Sequence, residues 1–156
     1  MAASAVETVA GTKIGISVGV PATFDAAGYA ALTYSDIGEI TDGGEHGREY
    51  AEVTHKPVGN RSTQKFKGSF NEGTKTLQLA ISPADAGQVL AKAALGSDAP
   101  YSFSVTYQGG DVDYFQARVM SFKKAVGDVD SIRSATIQLS ITTSKTGVGI
   151  VEKLAT

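Results

Sequence analysis

Apolar and polar residues alternate with a period of two from one end of this chain to the other, which restricts the fold to one built chiefly from half-buried strands. The clearest case lies at residues 134–142. There Ala135, Ile137, Leu139 and Ile141 occupy one side, and Ser134, Thr136, Gln138, Ser140 and Thr142 the other. Ile14, Ile16, Val18 and Val20 oppose Lys13, Gly15, Ser17 and Gly19 in the same way, predicting a first strand. Phe66 and Phe70 precede the turn residues Asn71-Glu72-Gly73-Thr74, after which Leu77, Leu79 and Ile81 alternate; this predicts a hairpin. A second hairpin is predicted where Phe103, Val105 and Tyr107 lead through Gln108-Gly109-Gly110-Asp111 into a strand over 113–122.

One segment changes period. Ser82-Pro83-Ala84-Asp85 combines an N-cap serine, proline at the first helical position and a carboxylate in the first turn. Ala86, Val89, Leu90, Ala93 and Ala94 follow at helical spacing, and Gly96 is placed to end the helix in the left-handed conformation. A shorter helical turn is expected over 25–30, capped by Thr23 or Asp25. The expected fold is therefore mainly β: a β-sandwich or partly closed barrel with one packed helix at about 83–95 and a long protruding loop. Residues 1–12 read as an N-terminal arm, 13–142 as a single domain and 143–156 as a C-terminal arm. No repeat of 20–50 residues is visible, which disfavours propellers and solenoids.

A chain of 156 residues buries enough surface to fold without staples, and it has no cysteine for disulfides, thiolate metal sites or thiol nucleophiles. The 14 Lys and Arg against 16 Asp and Glu give a net charge of −2, so tight binding to a phosphate backbone is not expected. A start without a basic, apolar leader and the lack of any long apolar run predict a soluble protein with no membrane span. The glycosylation pattern at Asn60-Arg61-Ser62 carries no weight outside a secreted chain.

The search for chemistry is unproductive. His46 and His55 lie nine apart, a spacing that matches neither a helical zinc pair nor a zinc finger, so no metal or cofactor is expected. Gly43, Gly44 and Gly47 lack the Lys-Ser/Thr and following helix of a phosphate loop. The acid pairs Asp111/Asp113 and Asp128/Asp130 sit at predicted turns, and no G-x-S-x-G elbow occurs, so no catalytic residue is assigned. Tyr29, Tyr34, Tyr50, Tyr101, Tyr107 and Tyr114 are scattered, which suits core or interface positions better than a sugar-binding platform.

Residues 41–63 form a connection far longer than the usual four to six, with an alternating centre at 48–54 that suggests a protruding hairpin. The C-terminal arm carries Val148, Ile150, Val151 and Leu154 beyond the last predicted core strand, with no evident partner in its own domain.

The stretch PATFDAAGYAALTYSDIGEI at 21–40, followed by the long polar segment, resembles the major tail tube proteins of long-tailed, non-contractile bacteriophages. The order of downstream elements agrees, so the resemblance covers roughly residues 14–142. It implies a structural subunit of hexameric rings whose inner sheets join into a barrel and whose rings stack into a channel for viral DNA. It also implies a place in the virion tail, assembly in the host bacterial cytoplasm, and tape-measure, terminator and tail-tip proteins as partners. Within that picture Glu45, His46, Arg48, Glu49, Tyr50, Glu52, His55, Lys56 and Arg61 are the expected contacts between rings. Val148, Ile150, Val151 and Leu154 are the expected C-terminal arm contacts. Ser134, Thr136, Gln138 and Ser140 are candidates for the channel wall, where neutral groups let DNA slide and unpaired Lys or Arg would hold it. The rival readings are a tube protein of a contractile tail or secretion machine, and a monomeric carbohydrate-binding β-sandwich.

Overall fold

The computed structural model describes residues 6–155. Its ten strands are β1 (Lys13–Ser17), β2 (Ser35–Asp36), β3 (Ile40–Asp42), β4 (Glu49–His55), β5 (Gln64–Asn71), β6 (Thr74–Ala80), β7 (Tyr101–Thr106), β8 (Val112–Ala125), β9 (Ser134–Thr142) and β10 (Val151–Lys153). Two helices, α1 (Ala26–Ala30) and α2 (Ala86–Leu95), complete it. Eight strands make one antiparallel sheet in the order β2-β1-β7-β8-β9-β6-β3, with β10 added against β8, and β4 and β5 form a separate two-stranded ribbon.

The large sheet curls into a half-barrel, so of the two expected forms the partly closed barrel is adopted. Its two edges are joined by the short link between β2 and β3. Ile37 N–H donates to the Ile14 carbonyl on one side of that link, and Ala80 N–H donates to the Glu39 carbonyl on the other. The apolar side of the alternation fills the interior with Ile14, Ile16, Leu77, Leu79, Phe103, Phe115, Ile137 and Leu139, and Phe103 and Phe115 stack at 5.5 Å. Each such side chain contributes about 1.5–3 kcal/mol by leaving water.

Helix α2 lies on this apolar side through Ala91 and Ala94. Gly87 sets how closely it approaches, because a Cβ there would collide with the Asp36 carbonyl oxygen. Buried Gln88 ties the helix to the β2–β3 link and to the end of β6: its Nε2 donates to the carbonyls of Gly38 (3.0 Å) and Ala80 (2.9 Å). Helix α1 covers the opposite face at the β1–β7 end, where Tyr29 stacks on Tyr114 at 5.5 Å and Ser102 donates to the Gly19 carbonyl.

Several expectations need correction. β1 stops at Ser17, and Val18 and Val20 are exposed. The N-cap of α2 is Asp85, whose carboxylate accepts from Gln88 N–H; Ser82 instead accepts a turn bond from Asp85 N–H. Gly96 ends that helix in the right-handed region. Asp25 caps α1 as one of the two expected residues. The largest difference concerns β5, which pairs with β4 and not with β6. Glu72 and Gly73 therefore mark a crossing between sheets. The predicted loop 41–63 accordingly contains edge strand β3 and one arm of a projecting hairpin.

Candidate functional site

Antiparallel register places the polar positions of β6, β9 and the second half of β8 side by side. Thr74, Thr76 and Gln78 face Ser140, Gln138 and Thr136, which in turn face Arg118, Ser121 and Lys123. The four sequence candidates Ser134, Thr136, Gln138 and Ser140 thus lie in one face of hydroxyls and amides left uncovered by α1. Of the nearby bases, Lys124 pairs with Ala135 on the opposite side, whereas Arg118 and Lys123 share the polar face. Arg118 is drawn aside to donate to the Asp98 carbonyl at 2.9 Å. Asp42 stands opposite Gln78 at the β3 edge.

The β4–β5 hairpin is a second surface, with apolar side chains on both sides and almost no burial. An extra residue near Gly68 shifts the register between Tyr50 and Glu52, so aromatic residues come to lie on both faces. On one, Tyr50 and Phe70 rings are 5.6 Å apart, Arg48 lies over Phe70 at 3.9 Å and Lys67 over Tyr50 at 4.8 Å. On the other, Val53 (49% exposed) meets Phe66 (54% exposed) across the strands. Glu45, Glu49, Glu52, His55, Lys56 and Arg61 are exposed along the hairpin and its approach. Glu52 and Lys65, 3.7 Å apart in solvent, add little stability.

The base of the hairpin is fastened by polar groups turned inward. Arg48 donates from Nη2 (2.6 Å) and Nε (2.9 Å) to Glu72, a carboxylate almost wholly buried. This bond and the neighbouring Tyr50 hydroxyl hold the guanidinium pKa above its usual value. His46 shares its two ring nitrogens between Asp113 Oδ2 (2.7 Å) and Lys75 Nζ (3.0 Å), and Tyr107 donates to the same Asp113 oxygen at 2.7 Å. Gly44 lets the chain turn into this cluster with φ +67, against the backbone of Thr76. Burial pushes the Asp113 carboxyl up, but hydrogen bonds from His46 and Tyr107 and the nearby charges of His46 and Lys75 hold it below the usual range. Lys75 is only 2% exposed, and burial lowers its ammonium pKa against the opposing pull of Asp113 and Asp42. Burial raises the Tyr107 phenol, with the Asp113 hydrogen bond acting in the same direction. Sequence reading passed over Lys75 and Glu72. The available signal was Lys75 in phase with Leu77 and Leu79.

The C-terminal segment finds a partner in its own domain, contrary to expectation. Val151 pairs with Tyr114 and Lys153 with Val112, Ile150 packs on the core, and Ala155 N–H donates to Asp111. Val148 is half-buried, and Leu154 remains 68% exposed. The tyrosines do not form an open platform, because Tyr29 and Tyr114 are buried against each other. Among the described residues no His/Asp/Glu group is arranged to hold a metal ion, and no helix is long and apolar enough to cross a membrane.

The curled half-barrel sheet is tail-tube-like. The chain belongs to the family of the lambda phage tail tube protein (TTP), whose model matches residues 23–147. It is a phage tail tube subunit, a structural component of the virion tail. Solved structures similar in fold include the sheath/tube terminator of an extracellular contractile injection system (PVC), with TM-score 0.65 and 10% identity over 97% of this chain and 99% of that one. The baseplate of the anti-feeding prophage contains another, with TM-score 0.61 and 12% identity over 91% and 94% of the two chains. The SPP1 tail tube matches with TM-score 0.59 and 14% identity over 92% of this chain and 77% of that one. No curated protein matches. The stretch at 21–40 that carries the sequence resemblance has a structural reason: Asp25 caps α1, Gly28 tucks beneath Thr23, and Tyr29 seats the helix on Tyr114.

Proposed function

We propose that this subunit closes into rings, of six copies by family resemblance, that stack into the channel through which viral DNA passes into the host. The supporting observation is the open hydroxyl and amide face of β6, β9 and β8, with its central residues Thr76, Gln78, Thr136 and Gln138 all exposed. Turned to the lumen, that face presents DNA mainly with hydroxyls and amides, its two cations being Arg118, held at the Asp98 carbonyl, and Lys123. The hairpin is the stacking element. Its aromatic residues on both faces meet only neighbours at the hairpin and stay exposed, and its mixed charges, Glu49 and Glu52 against Lys56 and Arg61, suit register against an identical subunit. Leu154 supplies an additional contact. Assembly takes place in the bacterial cytoplasm, with tape-measure, terminator and tail-tip proteins as partners and no enzymatic role.

The decisive experiment is negative-stain imaging of the purified chain. Rings or hollow tubes are expected, and a strict monomer at high concentration across salt conditions would overturn the reading. Thr136→Lys with Gln138→Lys then tests the lumen: tubes should form normally yet retain short duplex DNA that the parent tubes release.

A further inference from the structure

Lys75 is the buried charge that the barrel has least reason to contain. It occupies an interior position of β6, in phase with Leu77 and Leu79 and opposite Leu139. Among the described residues its one side-chain hydrogen bond is to Nδ1 of His46 at 3.0 Å, while His46 Nε2 lies 2.7 Å from Asp113 Oδ2. The second contact requires a proton on Nε2, because Asp113 is ionised and only accepts. The first has room for a single proton between the two nitrogens, whether Lys75 donates to a neutral imidazole or the imidazolium donates to a neutral amine. A further proton would turn two N–H groups against each other and leave Lys75 buried without an acceptor, a costly state.

We infer that His46 and Lys75 form an acid-sensitive clasp that holds the base of the β4–β5 hairpin on the barrel at neutral pH and releases it on acidification. His46 lies in the link between β3 and β4, so losing its contact with β6 frees the approach to the hairpin. The other groups around the ring do not cancel the effect. Asp113 of β8 and Tyr107 at the end of β7 touch only the Nε2 side. Glu45, Arg48, Glu72 and Glu152 of β10 line the outer recess of about 600 Å³ beside it, and Arg48 and Glu72 are already paired with each other. Asp42 of β3 acts on Lys75 and not as a hydrogen-bond partner of the ring. Asp113 is held below the ordinary carboxylate range, so it stays an acceptor for Nε2 as the pH falls.

The test is amide hydrogen exchange of the soluble subunit at pH 8 and pH 5, corrected for intrinsic chemistry, and it does not depend on tube formation. Protection of the paired amides of the hairpin, within 49–55 and 64–71, should fall at least about tenfold at pH 5 while β6 and β9 core amides hold. His46→Gln should abolish the response, since its carbonyl can accept from Lys75 and its amide donate to Asp113 without titrating. Lys75→Met, which removes the competing donor, should abolish it too and serves if the glutamine variant fails to fold. Unchanged protection in the parent, an equal loss in either folded variant, or a parallel loss throughout the core would each overturn the clasp.

Discussion

β5 and β6 are neighbours in sequence with nearly the same pattern, yet they have opposite fates. In β6 the apolar positions Leu77 and Leu79 are fully buried; in β5 Phe66 and Phe70 stay open to solvent. Both alternate, and both are strands. The difference lies in what each finds across from it: β6 has β9 and β3 on its flanks and the barrel core over its apolar side, whereas β5 has only β4. A two-stranded ribbon is marginal by itself, so apolar side chains on both of its faces signal a surface completed by another copy. One region is finished within the chain and, on the function proposed above, the other by assembly.

The largest expected effect comes from cutting the same kind of residue in the two regions. Phe103→Ala, in the stacked pair inside the half-barrel, should cost roughly 3–5 kcal/mol in chemical denaturation. Phe66→Ala should shift stability by less than about 0.5 kcal/mol, as exposed substitutions do. Its cost should appear in tube yield under the electron microscope. Equal destabilisation by the two would erase the distinction between finished and unfinished regions.

A coarser cut sharpens the comparison. Replacing 49–71 by a short Gly-Ser connection removes both hairpin strands but leaves Arg48 and Glu72 in place at its base. The melting transition should move by only a few degrees, because little apolar surface is lost from the core and loop length itself matters weakly. Long tubes should no longer form. A variant that still makes long tubes defeats the stacking role, and one that loses its fold shows that the hairpin belongs to the core.

The barrel interior was legible because burial on one side leaves a period of two in the residues themselves. Ala135 to Ile141 predicted both the strand and its buried face. Pairing was not legible for β5, since alternation names a strand and its faces but not its partner. The polar face of β9 was visible in sequence as well; its continuation onto Thr74, Thr76, Gln78 and Ser121 needed the register. The C-terminal segment was misjudged because β10 has three residues and gains its place by pairing with β8, with no long pattern of its own. At the base of the hairpin, His46 and Asp113 were noticed singly as loop and turn residues. Their meeting spans 67 positions of sequence and depends on the curl of the barrel.

Lys75 lies where the two regions join, and its smaller effect is the most discriminating. Its folded pKa is lowered, burial being the largest cause, while in the unfolded chain a lysine titrates near 10.4. Between those values the unfolded state holds a proton that the folded state has released, so stability rises with pH through that window. Below the folded value both states are protonated and the penalty of burying the ammonium is present in full. Lys75→Met keeps a long side chain, removes the charge and should therefore be as stable as the parent, or up to about 2 kcal/mol more stable, at pH 7. That advantage should shrink as the pH approaches 10, because the parent then buries a neutral amine. Urea titrations of both proteins at pH 7 and pH 9.5 measure it directly. An advantage that grows with pH would mean that the Lys75 charge stabilises the barrel, and that its contacts with His46 and the nearby acids outweigh the cost of burial.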